Sequence, residues 1–148
     1  MLTKSLVAVC VGLLAATASA QSCATLTVSG TGAPGTTLQF NLDGQASGAF
    51  AFLAVGMTQG TTSIPFGPLG TLTLGLASPL LTLPLGMTNA SGDASVSVPV
   101  PNGFPVSLDM FAQGLTAELT ITPPSPPTPP SISLTFCTSN VVGFHIGN

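Results

Sequence analysis

The chain predicts an all-β protein, a single antiparallel β-sandwich or jelly roll of about eight or nine short strands behind a cleaved signal peptide. Three observations carry that prediction. Short runs alternate apolar residues with Thr or Ser, and clusters of Gly, Pro, Asn and Asp separate them at spacings of about 8 to 12 residues. No stretch of the mature chain sustains the spacing of an amphipathic helix.

Residues 1–20 read as the signal peptide. Lys4 sits in a short n-region, an apolar run extends from Leu6 to Ala16, and Ala18-Ser19-Ala20 precedes Gln21, which places cleavage after Ala20. A membrane anchor would need about 20 apolar residues, more than this run supplies. A lipoprotein through Cys23 fits less well, because Ala20-Gln21-Ser22 lacks the aliphatic residue expected three positions before a lipidated cysteine. The remainder, 21–148, suits one β-sandwich domain.

Thr25 to Val28 is the first strand, and the Gly-rich segment 29–35 turns the chain. Thr36 to Leu42 sets Leu38, Phe40 and Leu42 on one face. Ala49 to Met57 is nearly all apolar, as expected of a central strand covered on both faces. Gly60 to Gly70 reads as a loop holding at most one helical turn, because Pro65 and Pro68 oppose regular pairing. Thr71 to Leu76 and Leu80 to Thr88 are the next strands, and Pro84 confines the second to an edge or a bulge.

After the turn 89–93, Ala94, Val96, Val98 and Val100 alternate with polar residues. Val106 to Ile121 offers one long bent strand or two short ones. The proline-rich segment 123–130 cannot join a ladder and reads as an extended polyproline loop. Ile132 to Phe136 and Val141 to Ile146 complete the sheet, with Thr138-Ser139-Asn140 between them.

Composition narrows the functions. The chain holds a single Lys or Arg, Lys4, inside the signal peptide, against four acids, Asp43, Asp93, Asp109 and Glu118. Nucleic acid is thereby excluded as a partner, since phosphate binding depends on Lys and Arg displacing counterions. Phosphate-cradling lysines and arginine fingers are excluded for the same reason. A surface so poor in charge favours self-association.

Cys10 leaves with the signal peptide, so Cys23 and Cys137 remain as an even pair for an oxidising compartment. A disulfide between them is expected to tie the first strand to the second-last. A metal centre would need more ligands than two distant thiols and His145, so no metal and no cofactor is expected.

Three pieces recur in a fixed order in a set of small exported bacterial β-sandwich proteins of unassigned function. They are the Gly92-Asp93-Ala94 turn with its alternating strand to Pro101-Asn102, the Phe111-Ala112-Gln113 strand, and the closing Ser139-Asn140 strand that ends in Ile146-Gly147. From about Gly35 to Gly147 the chain resembles that set. The resemblance implies a secreted β-sandwich module and brings no activity with it. The proline-rich loop and Cys137 depart from the pattern.

Candidate chemistry is sparse. Asp43 and Asp93 read as turn aspartates, with Asp93, Asn89 and Ser91 as the one arrangement of oxygen ligands that could meet Ca²⁺. Asp109 and Glu118 read as solvated strand-face acids, and could meet only if the chain folded back near Gly114. His145 faces away from Phe144 and Ile146, and no G-x-S-x-G nucleophile elbow accompanies it. The eight phenylalanines read as core, with Phe66 the one expected at the surface.

The chain is therefore expected to be a non-catalytic structural or interaction protein, secreted or held in the periplasm or at the cell surface. Its expected partners are copies of itself or other envelope or matrix proteins. The alternative is a ligand-binding module for carbohydrate or Ca²⁺, although without Trp or Tyr a strong carbohydrate platform is disfavoured.

Overall fold

A computed structural model describes residues 22–124 and 131–147. The expected signal peptide, 1–20, lies outside the described residues, as do positions 125–130 of the proline-rich segment. Pro123 and Pro124 follow the eighth strand outside any ladder.

The protein is all-β, with nine strands in the order β1 Ser22–Ser29, β2 Thr37–Asp43, β3 Phe50–Gly56, β4 Gln59–Pro65, β5 Thr71–Leu76, β6 Leu81–Met87, β7 Ala94–Pro99, β8 Leu108–Thr122 and β9 Ser131–Ile146. Seven form one sheet in the order β6-β3-β8-β9-β1-β2-β7, and β4 and β5 form a second. The larger sheet curls until its end strands β6 and β7 come alongside each other, so it is nearly closed. Proline marks both ends of the curl, Pro84 on β6 and Pro99 at the end of β7, where a missing N–H can be spared.

The expectation of a wholly antiparallel sheet is corrected at one pair, because β1 runs parallel to β9. Parallel neighbours ordinarily require a long crossover. Here the pair comes from opposite ends of the chain, and the rest of the fold serves as the connection. A second correction concerns residues 60–70: β4 occupies most of the expected loop, its Thr62 to Pro65 pairing with Leu74 to Thr71. Pro65 closes that strand instead of interrupting it, and the one helical turn, Gly67–Leu69, falls in the expected segment. A third concerns Thr138-Ser139-Asn140, which does not separate two strands. It lies inside β9 as an irregularity of register opposite Gln113 to Leu115.

Two cores lie on the two sides of the same wall. Inside the curl, Leu26, Leu38, Phe40 and Leu42 meet Ala51, Leu53, Val55 and Ala112. On the outside, Leu72, Leu74 and Leu76 of β5 cover Ala54 and Leu115. The run from Ala49 to Met57 is covered on both faces only in part: Ala51, Leu53 and Val55 face the inner core and Ala54 the outer one, whereas Phe50 and Phe52 on the outer face are exposed. Gly114 faces inward at the crossing point, where a Cβ would lie 2.2 Å from Leu42 Cδ1. Only glycine lets the β8 backbone approach that leucine so closely.

Five of the eight phenylalanines belong to these cores. Phe40 is 2% exposed and meets Phe144 edge-on at 5.2 Å inside the curl, with Phe104 packed against the same core, and Phe111 and Phe136 pack against the outer core. Phe66 is 37% exposed, as expected, but Phe50 and Phe52, at 50% and 37%, are exposed where the sequence reading places them in the core.

Cys23 and Cys137 form a disulfide with Cα atoms 5.8 Å apart, a normal span for such a bond. It joins β1 to β9 beside their parallel pairing, and so ties the first strand to the last. The enclosed loop spans a sequence separation of 114 residues. A loop of that length corresponds to about 4 to 5 kcal/mol of chain entropy removed from the unfolded state.

Candidate functional site

The outer face of β3, β8 and β9 is the most unusual surface of the molecule. Along β8 the residues Asp109, Phe111, Gln113, Leu115, Ala117, Leu119 and Ile121 point outward, since side chains of a strand alternate between faces. Their cross-strand neighbours on β9 are His145, Gly143 and Val141 above the irregular step, then Thr138, Phe136, Leu134 and Ile132 below it. The face divides into a polar upper end, a middle covered by the β4–β5 hairpin, and a lower end that none of the described residues covers.

At the upper end His145 sits opposite Asp109, with Nδ1 2.8 Å from Asp109 Oδ1, and its Nε2 lies 3.2 Å from Ser107 Oγ. His145 faces away from Phe144 and Ile146, as expected. A hydroxyl, an imidazole and a carboxylate in this order have the connectivity of a Ser-His-Asp triad. The setting is different: the Asp109 side chain is 87% exposed and that of His145 43%. Catalytic triads bury the carboxylate so that its charge acts on the imidazole without screening by water. The arrangement found here is an open cross-strand pair beside a shallow hollow of about 430 Å³ lined by Phe111 and Gly143.

Asp109 and Glu118 do not come together. They lie on one continuous strand and point to opposite faces, Asp109 toward His145 and Glu118 toward the polar side opposite Thr135. Asp43 and Asp93 both line a hollow of about 290 Å³, together with Thr27, Asn41, Asn89 and Ser95. Asn89 Oδ1 accepts the backbone N–H groups of Ser91 at 2.8 Å and Asp93 at 2.9 Å, so that oxygen closes the turn. Among the described residues no group of three or more His, Cys, Asp or Glu side chains could hold a metal ion.

The middle of the face is held by amides. Gln113 is 5% exposed; its Oε1 accepts the Gly75 N–H at 2.8 Å and its Nε2 donates to the Ser139 carbonyl at 2.9 Å. The hairpin is thereby attached to the β9 step. Ser139 Oγ accepts the Gly114 N–H at 2.8 Å and donates to the Asn140 carbonyl at 2.7 Å. At the other motif positions, a Cβ on Gly92 would lie 1.9 Å from the Gln45 carbonyl oxygen and one on Gly147 2.2 Å from that of Val106. Of the residues that carry the sequence resemblance, Gln113, Ser139, Gly92 and Gly147 thus fix backbone, whereas Ala112 and Phe111 pack in or against the cores.

Below the hairpin no described residue covers the wall. Phe66 lies against Phe136 with ring centroids 4.6 Å apart and marks the limit of cover. Past Ala117 and Phe136, β8 and β9 lose their other neighbours and continue as a two-stranded arm, Glu118–Thr122 against Ser131–Thr135. One side of the arm holds Glu118, Thr120, Thr122, Ser131, Ser133 and Thr135; the other holds Leu119, Ile121, Ile132 and Leu134. Leu119, Ile121 and Ile132 are 51%, 64% and 64% exposed, and Phe50, Phe52 and Met87 continue the apolar surface onto the body. Alternation in this stretch was visible in the sequence, but not that its apolar side would lie open.

No family model, curated protein or solved structure matches the chain.

Proposed function

We propose that this is a non-catalytic structural or interaction protein of the cell envelope or extracellular matrix, exported by a signal peptide cleaved after Ala20. In this reading the domain is a sandwich-like body, and its binding surface is the uncovered outer face of β3, β8 and β9. One observation carries it: Phe50, Phe52, Met87, Leu119, Ile121 and Ile132 form a continuous apolar surface at one end of a stapled domain. Exposed apolar patches beyond a few hundred Å² mark places where another surface docks. The disulfide supports an oxidising location.

A ligand-binding role for Ca²⁺ or carbohydrate has less behind it. The hollow at Asp43 and Asp93 has only two charged ligands for Ca²⁺, and its Asn89 Oδ1 is already engaged by the Ser91 and Asp93 N–H groups. The described residues include no Trp or Tyr on which a sugar could stack.

Fractionation of the producing cells tests the reading. The mature chain should begin at Gln21, resist alkylation at both cysteines and appear in the envelope or matrix fraction. Uncleaved protein with free thiols in the cytosol would overturn the assignment, and a rise in melting temperature with micromolar Ca²⁺ would favour the ligand-binding role.

A further inference from the structure

The bare face also has features that select an occupant. A two-stranded ribbon is marginal in water unless its apolar side packs on something. The arm Glu118–Thr122 and Ser131–Thr135 is such a ribbon, longer than the body requires and apolar along one side. What covers it must be apolar and must need no ion pair, since the acids nearest this surface, Glu118 and Asp109, lie on the opposite side of the arm and at the far end of the face.

We propose that the occupant is a second copy of this chain, so that the protein is a two-fold symmetric dimer through the outer face of β3, β8 and β9. This rests on the reading of that face as the binding surface. In a two-fold contact the same patch meets itself, so the arm of one copy lies across Phe50 and Phe52 of the other, and the reverse. Such a contact brings apolar side chains against apolar side chains and sets no like charges face to face.

The area agrees. With aromatic side chains at 150–250 Å² each and the aliphatic ones somewhat less, the fractional exposures of Phe50, Phe52, Phe66, Met87, Leu119, Ile121 and Ile132 sum to roughly 600 Å² per copy. Two copies would bury roughly 1,200 Å² from these side chains alone, the lower end of the range for stable interfaces. Backbone and the neighbouring Pro84 and Leu134 add to it.

The test is sedimentation of the mature, oxidised protein from about 1 to 500 μM, beside the double variant Ile121→Thr, Ile132→Thr and a control, Thr120→Ser, on the polar side of the arm. Threonine keeps the β-branched shape that the strand favours while removing the apolar surface. Wild type and control should dimerise with the same dissociation constant, and the double variant should weaken it at least tenfold while keeping its circular dichroism and melting cooperativity. A monomer across the range overturns the dimer, and so does a dimer that the double variant leaves unchanged. If the monomer instead co-sediments with envelope material or with zwitterionic vesicles through Ile121 and Ile132, the face is a binding surface with a different occupant. A monomer that binds none of these removes the binding-surface reading as well.

Discussion

Asn140 takes the place of a strand for Leu26. Its Oδ1 accepts the Leu26 N–H at 2.8 Å and its Nδ2 donates to the Leu26 carbonyl at 3.2 Å, so one side-chain amide satisfies both backbone groups of a residue in β1. The contact lies just beyond Ala24 and Ser139, where the parallel pairing of β1 and β9, already shifted in register between Ser22 and Ala24, ends. A buried backbone group must find a partner, and here a side chain provides it. The curled sheet thus continues across its one parallel seam.

Asn140→Ala should therefore cost about 1 to 3 kcal/mol, the usual penalty for stranding buried polar groups, since Leu26 is 1% exposed. Asn140→Asp keeps the acceptor for the Leu26 N–H but turns an oxygen toward its carbonyl, so it should not rescue stability near neutral pH. Urea unfolding of the three proteins measures this, and equal midpoints would show that the seam needs no such bridge.

Gln113 connects the hairpin to the wall, and its loss should be felt locally. With Gln113→Ala the Gly75 amide loses its acceptor, so its hydrogen exchange should quicken by tenfold or more while the amides of Leu38 and Leu42 on β2 change little. Uniform acceleration across the domain would mean that the hairpin and the body unfold as one unit.

Replacing Cys23 and Cys137 by serine together should lower stability by about 2 to 5 kcal/mol, because the enclosed loop is nearly as long as the domain. The same loss should follow on reduction of the wild type, read as a drop in the urea midpoint. A double variant as stable as the oxidised protein would show that the unfolded chain gains nothing from release of this loop.

The group of Ser107, His145 and Asp109 should not act as a catalyst. Hydrolysis of a chromogenic acetate ester should match buffer containing free imidazole at the same concentration, and Ser107→Ala should leave it unchanged. A rate well above that, lost in Ser107→Ala, would overturn the non-catalytic reading.

The long alternation from Val106 to Ile121 and the valine row from Ala94 to Val100 were legible as strands, because one residue in two must face a core whatever the topology. Pro84 was legible as an edge or bulge residue, and it is on an end strand at a register shift. The pair of His145 and Asp109 was within reach in principle. Folding β8 back on β9 around the proline-rich segment sets those two residues opposite each other. That step needs the register in which β8 and β9 pair, and no local rule fixes it across a connecting sequence with so many prolines.

Local chemistry decided most of the strands and turns, since these depend only on a residue and its near neighbours, though not β4 or the unbroken course of β9. Cysteine count and compartment also predicted the Cys23–Cys137 bond, and the fold places the two cysteines within bonding distance. Long-range pairing settled the remainder: the parallel seam between the chain ends, the second core outside β3, and the amides of Gln113 and Asn140 as substitutes for backbone. It also left Phe50, Phe52 and Ile121 open to water. An apolar side chain in a strand is the same letter in the sequence whether a hairpin covers it or not, and the β4–β5 hairpin covers Ala54 and Leu115 but leaves Phe50, Phe52 and Ile121 exposed.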